Sequence, residues 1–123
     1  MPTIAHFDLP ADDLGRAKKF YTELFDWKIE KVPGPLDYYF IETTSLEGEP
    51  GVAGGMGLRG SPEQRITNFI EVTSVDAYCD RVNELGGMIV QPKMPVPGWG
   101  YLAVCMDTEG NTFGLWEVNE NAE

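Results

Sequence analysis

Histidine occurs once, at His6, and cysteine only twice, at Cys79 and Cys105. So few soft donors exclude a Cys/His zinc cluster, which needs four ligands at short spacings. Two cysteines on separate predicted elements do not make a disulfide framework, and both are expected as buried, inert thiols. Basic residues are also scarce, nine against twenty acidic ones, for a formal net charge of −11. That field repels nucleic acid and anionic lipid, and mildly favours cationic ligands. No apolar run approaches the roughly 20 residues that span a bilayer. Met1-Pro2-Thr3-Ile4 does not open a signal peptide, so a cytoplasmic location is expected. There is no Gly-x-Ser-x-Gly elbow and no Walker-type loop; the glycine-rich stretch from Gly51 to Gly60 lacks the Lys-Ser/Thr ending that cradles phosphate.

A chain of 123 residues, 42% hydrophobic, suffices for one domain with a real core. Leu14, Ala17, Tyr21, Leu24 and Phe25 form one face of a helix over 13–25, with Asp12 and Asp13 at its start. Val75, Tyr78, Cys79, Val82 and Leu85 repeat that face, with Ser74 as N-cap and Gly86-Gly87 as the stop. The stripes begin at Leu14 and Val75, 61 residues apart (75 minus 14), which is half the chain. An alternating strand precedes each helix. In the first, Ala5, Phe7 and Leu9 face one way, His6 and Asp8 the other; in the second, Ile70 and Val72 oppose Thr67, Phe69 and Glu71. Three strands are expected after each helix: near 28–31, 38–43 and 52–58, then 88–91, 101–106 and 112–118. Proline and glycine clusters separate them, including 92–100, and 60–64 links the halves. The pattern predicts a single α+β domain of two β-α-β-β-β modules, 1–59 and 65–123. They would form a paired mixed/antiparallel sheet with a cleft, helices on the outer faces. A ferredoxin-like fold explains the helices but not the later strands.

Three stretches carry a resemblance: HFDLPADDLGRAKKFYTELFDWKIE, TNFIEVTSVDAYCDRVNELGG and DTEGNTFGLWE. In this order, with the duplication, they resemble the landmarks of the vicinal oxygen chelate superfamily of glyoxalase I, bleomycin-resistance proteins and extradiol dioxygenases. Its metal-dependent members hold a divalent cation at four positions, on the first and last strand of each module, typically His or Gln, Glu, His and Glu. There the ion acts as a Lewis acid or activates dioxygen. Carried over, those positions fall on His6, Thr67, Gly114 and one of Gly54 or Gly55, so only one ligand is retained. Glu117 lies an odd number of residues from Gly114 and so is expected on the other sheet face. No metal and no cofactor are therefore expected, although a non-standard His6, Asp8 and Glu71 set stays open.

The resemblance then implies a small-molecule binder comparable to the bleomycin-resistance proteins, and a homodimer. Candidate ligand-binding residues are Asp8, Thr67, Phe69, Glu71, Tyr101, Gly114 and Trp116, with His6 as candidate acid or base. The glycines would leave room for a planar or aromatic ligand, the aromatics would supply stacking area, and the carboxylates would select against anions. Trp99, in a Pro-rich loop between two glycines, is a lid, or else an exposed or locally packed residue. Two alternatives stand beside the binder. One is a lyase/isomerase or dioxygenase-type enzyme using His6 with carboxylate partners; the other is an interaction subunit with a closed cleft.

Overall fold

The computed structural model describes all residues, Met1–Glu123. In chain order they form β1 (Ile4–Ala11), α1 (Leu14–Phe25), β2 (Lys28–Lys31), β3 (Tyr38–Glu42), β4 (Ala53–Leu58), β5 (Thr67–Glu71), α2 (Val75–Glu84), β6 (Met88–Val96), β7 (Gly100–Met106) and β8 (Thr112–Val118). The chain is α+β and divides into two compact units, His6–Ile66 and Met1–Ala5 with Thr67–Glu123. The first five residues thus group with the later part of the sequence, where Glu71 donates its backbone N–H to the Thr3 carbonyl at 3.0 Å.

Each unit repeats one pairing scheme. In the first, β4 runs parallel to β1, and β3 and β2 follow as antiparallel neighbours. In the second, β8 runs parallel to β5, and β7 and β6 follow antiparallel. The helix between the first two strands covers one sheet face. Leu9, Ala11, Ile29, Ile41 and Met56 are buried there in the first unit, with Leu14, Ala17 and Tyr21 of α1 against them. Val72, Ala103, Cys105 and Leu115 do the same in the second, with Val75, Tyr78, Cys79 and Val82 of α2 against them.

The helix starts follow from their caps. The Asp13 side chain accepts from the Arg16 N–H and the Ser74 side chain from the Ala77 N–H, each satisfying a donor that the first turn leaves unpaired. The apolar stripe of α1 stops short of the expected one. Leu24 and Phe25 stay more than half exposed, because Trp27 stacks on Tyr21 with ring centroids 5.2 Å apart and covers the core at that point. Leu85, at the C-cap of α2, is exposed as well.

The separator expected over 92–100 is corrected. β6 continues through Pro92 and Pro95 to Val96. As the end strand of its unit it bonds only to β7, and register shifts flank Gln91, so the missing proline N–H groups break no inner ladder. Cys79 and Cys105 are free thiols on α2 and β7, and burial raises both pKa values, Cys105 to about 11. They are poor nucleophiles at neutral pH.

Candidate functional site

Alternation along β1 turns Phe7 and Leu9 toward α1, and His6 and Asp8 to the opposite face. The parallel register sets Asp8 beside Gly55 and Phe7 beside Gly54. Tyr38 opens β3 opposite Gly57. Its ring passes over Gly57, 3.3 Å from where a Cβ would be, and its hydroxyl lies over Gly55, where a Cβ would come within 1.6 Å. Only a bare backbone at Gly55 lets the tyrosine lie so low. The hydroxyl consequently donates to Asp8 Oδ1 at 2.9 Å and stands 3.3 Å from His6 Nε2.

That chain fixes the imidazole. Tyr38 has one hydroxyl proton and gives it to Asp8, so Nε2 must be the donor to Tyr38 Oη, and Nδ1 is left as the basic nitrogen. Burial lowers the His6 pKa from its ordinary 6.5, against the opposing pull of the Asp8 charge. Burial raises that of Asp8 above 3.8, against the Tyr38 hydrogen bond and the His6 charge. Tyr38 is pushed upward by burial, by the Asp8 charge and by the same hydrogen bond. At neutral pH these directions favour a neutral imidazole and an intact phenol, while burial works against the Asp8 charge.

A pH dependence follows with a defined sign. Because the folded pKa of His6 lies below its unfolded value, its contribution to stability is present above 6.5 and lost as pH falls through the folded value. Asp8 acts oppositely: its contribution is present below 3.8 and lost as pH rises through its raised folded value. Between about pH 7.5 and 5.5 the native protein should therefore lose stability relative to His6→Gln, which cannot titrate there. Urea midpoints of the two proteins across that interval measure it. A constant gap would mean that His6 titrates as freely as in an unfolded chain.

The second unit presents its own counterpart. Phe69 pairs with Gly114 as Asp8 pairs with Gly55, which makes Gly55, not Gly54, the equivalent of Gly114. The Phe69 ring lies on Gly114, with its nearest atom 2.1 Å from the position of a Cβ. Alternation puts Thr67 and Glu71 on the Phe69 face, with Trp116 beside Glu71 in the register. Glu117 points the other way, as its odd spacing predicted: its carboxylate accepts from the Val75 N–H at the start of α2, at 2.9 Å.

Three expectations about this face are corrected. Tyr101 is not on it. It pairs with Glu117 and packs toward the α2 core, in alternation with Ala103 and Cys105, and Lys93 Nζ lies 4.4 Å from its ring centroid. Gly54 is not on it either, because its missing side chain makes way for Phe7 on the helix side. Gly55 and Gly114 do not leave room for a ligand; Tyr38 and Phe69 fill those places. Trp99, weighed as a lid, sits in the turn after β6 and is 60% exposed.

The donor set does not fit a divalent metal. The positions carried over are an imidazole, a hydroxyl and two glycines under aromatic rings. No group of three or more His, Cys, Asp or Glu side chains is arranged to hold an ion. The residue that sequence reasoning missed is Tyr38. Its signal was the pair of alternate glycines, Gly55 and Gly57, in a strand, which marks the close approach of something from a neighbouring strand.

Comparison with known proteins agrees with this frame. The model of the Glyoxalase/Bleomycin resistance protein/Dioxygenase superfamily matches residues 3–115. CFP32 of Mycobacterium tuberculosis and Mycobacterium bovis, provisionally named a glyoxylase, is 34% identical over 117 residues, 93% of this chain. The chain spans only 45% of the length of those relatives. Among solved structures, a superfamily member from Vibrio splendidus 12B01 superposes with a TM-score of 0.67 at 13% identity, covering 97% of this chain and 100% of its own. A Streptomyces coelicolor methylmalonyl-CoA epimerase, bound to 2-nitronate-propionyl-CoA, gives 0.69 at 11% identity, covering 98% and 97%. At such identities the structures establish the fold alone.

Proposed function

Since the chain belongs to the Glyoxalase/Bleomycin resistance protein/Dioxygenase superfamily, we propose that it binds a small planar or aromatic molecule, neutral or cationic, without the metal of the family's metalloenzymes. The observation that carries this is the Tyr38 hydroxyl bridging His6 and Asp8 over Gly55. A half-buried carboxyl group held by a tyrosine hydroxyl disfavours anions and attracts a ligand's N–H or cationic group. On the second unit, Trp116 is the aromatic residue offered to a planar ligand, with Thr67 and Glu71 on the same face.

Thermal-shift screening against matched anionic, neutral and cationic aromatics tests the reading. Neutral and cationic compounds are expected to raise Tm. Tyr38→Phe keeps the ring but cuts the polar chain, so it should weaken them about tenfold. Trp116→Ala tests the second unit's face by itself, where an aromatic ligand should lose its stacking surface. A response to anions only, or one unchanged in both variants, would overturn the proposal.

A second reading has one observation in its favour. A neutral His6 whose proton is held on Nε2 is in the form of a general base, as an isomerase- or lyase-type proton transfer requires. Solvent-deuterium exchange into a bound carbon acid, abolished in His6→Gln, would support it. We further propose a cytoplasmic homodimer. No helix is long and apolar enough to cross a membrane. Closed twofold pairs are the commonest assembly, and the extra length of the mycobacterial relatives leaves space for a second copy of such a chain. A monomeric mass by light scattering at high concentration would refute the dimer.

A further inference from the structure

The first unit holds a second concavity, on the sheet face opposite His6, Asp8 and Tyr38. Leu9 and Met56, which face α1, form its floor together with Ile66, and its volume is about 350 Å³. Arg16, Arg59 and Arg65 line it. The chain has four arginines in all, so three of them meet here in a protein of net charge −11. Such a convergence runs against the overall field and calls for an explanation.

The arginines are arranged differently. Arg59 is a scaffold: its Nε pairs with Asp12 at 3.0 Å, Nη2 reaches the Pro10 carbonyl at 3.5 Å, and Nη1 donates to the Gln64 carbonyl. These bonds tie the 60–64 segment to the end of β1. Arg65 is aimed by Nη1, which donates to the carbonyls of Pro62 at 3.0 Å and Gln64 at 3.2 Å. Arg16 lies in the first turn of α1 and forms no ion pair, although two carboxylates are close. Both carboxylates are occupied: Asp12 by Arg59 and Asp13 by the helix cap. With both neighbouring carboxylates engaged, the Arg16 guanidinium stands over an apolar floor.

We infer that this concavity is a binding site for a small amphiphilic anion. A carboxylate or phosphate head is held by the forks of Arg16 and Arg65, and an apolar body lies over Leu9, Met56 and Ile66. Arginine suits either head because its planar donors match two anionic oxygens at once. The volume lies in the range of small-ligand pockets. The site differs from the proposed aromatic site in face, charge preference and residues, so each stands or falls without the other.

Octanoate, octyl phosphate, octylammonium and inorganic phosphate, each below any micellar concentration, provide the test by amide NMR titration of the whole protein. The two octyl anions should bind saturably and perturb residues 12–17 and 59–66, leaving Tyr38 and His6 unmoved. Inorganic phosphate, lacking the apolar body, should bind at least tenfold more weakly than octyl phosphate. Arg16→Ala and Arg65→Ala, both surface changes, should each weaken octanoate by about tenfold, while Arg16→Lys recovers only part of it. Octyl phosphate binding tighter than octanoate identifies the head as a phosphate; the reverse order identifies a carboxylate. Octylammonium matching octanoate, shifts spread over both faces, or unchanged affinity in both alanine variants would overturn the inference.

Discussion

Gly55→Ala is expected to cost about 1–3 kcal/mol, the range for overpacking a filled site, and to remove the Tyr38–Asp8 hydrogen bond with it. The new methyl carbon would stand 1.6 Å from Tyr38 Oη, closer than any non-bonded contact permits. β4 is held on both sides, by β1 and β3, so the strand resists displacement and the tyrosine must swing out. Asp8 then loses its donor while remaining half-buried. The consequence reaches function, because the ligand anchor proposed above is that same chain of three side chains. A double-mutant cycle in urea separates the causes. Against a Tyr38→Ala background the added methyl group has space, and its cost should fall by at least half. Equal costs in both backgrounds would mean that the glycine serves the strand and not the tyrosine.

What the sequence disclosed and what it hid divide along one physical line. Features that depend on a single element were legible. The caps Asp13 and Ser74, the split of β1 into a Leu9 face and a His6 face, and the turning of Glu117 toward α2 all follow from periodicity within a helix or strand. Features that depend on which strand pairs with which, and in what register, were not. Tyr38 meets Asp8 across 30 residues only because β4 lies between their strands with glycines facing both. Tyr101 was assigned to the wrong face because β7 is apolar on both: Tyr101, Ala103 and Cys105 alternate with Leu102, Val104 and Met106, and hydrophobicity does not tell the two sets apart. The prolines of β6 misled for a related reason, since they break a strand only when neighbours need their N–H groups on both sides. The arginine-lined concavity gathers residues 16, 59 and 65 from segments whose proximity no local pattern encodes.

Phe69→Ala is expected to be the most damaging single change discussed, at about 3–5 kcal/mol, the usual cost of removing a large ring from a packed site. The residue is 9% exposed, and its ring rests on the bare backbone of Gly114. The loss therefore exposes β8 as well as opening a void. Gly114→Ala alone should cost about 1–3 kcal/mol, because the ring atoms stand 2.1–2.7 Å from where the methyl carbon must go. The two changes should not add. With the ring gone, the methyl group enters space that Phe69 vacated, and the double variant should recover roughly 1 kcal/mol or more relative to the sum. Fluorescence-monitored urea unfolding of the four proteins measures the coupling. Strict additivity would mean that the ring and the glycine do not share one volume. A coupling of the predicted sign also bears on function: at the strand position where the resemblance implied a metal ligand, this chain has put an aromatic ring on a glycine, and a single carboxylate introduced at Gly114 would meet that ring before it met an ion.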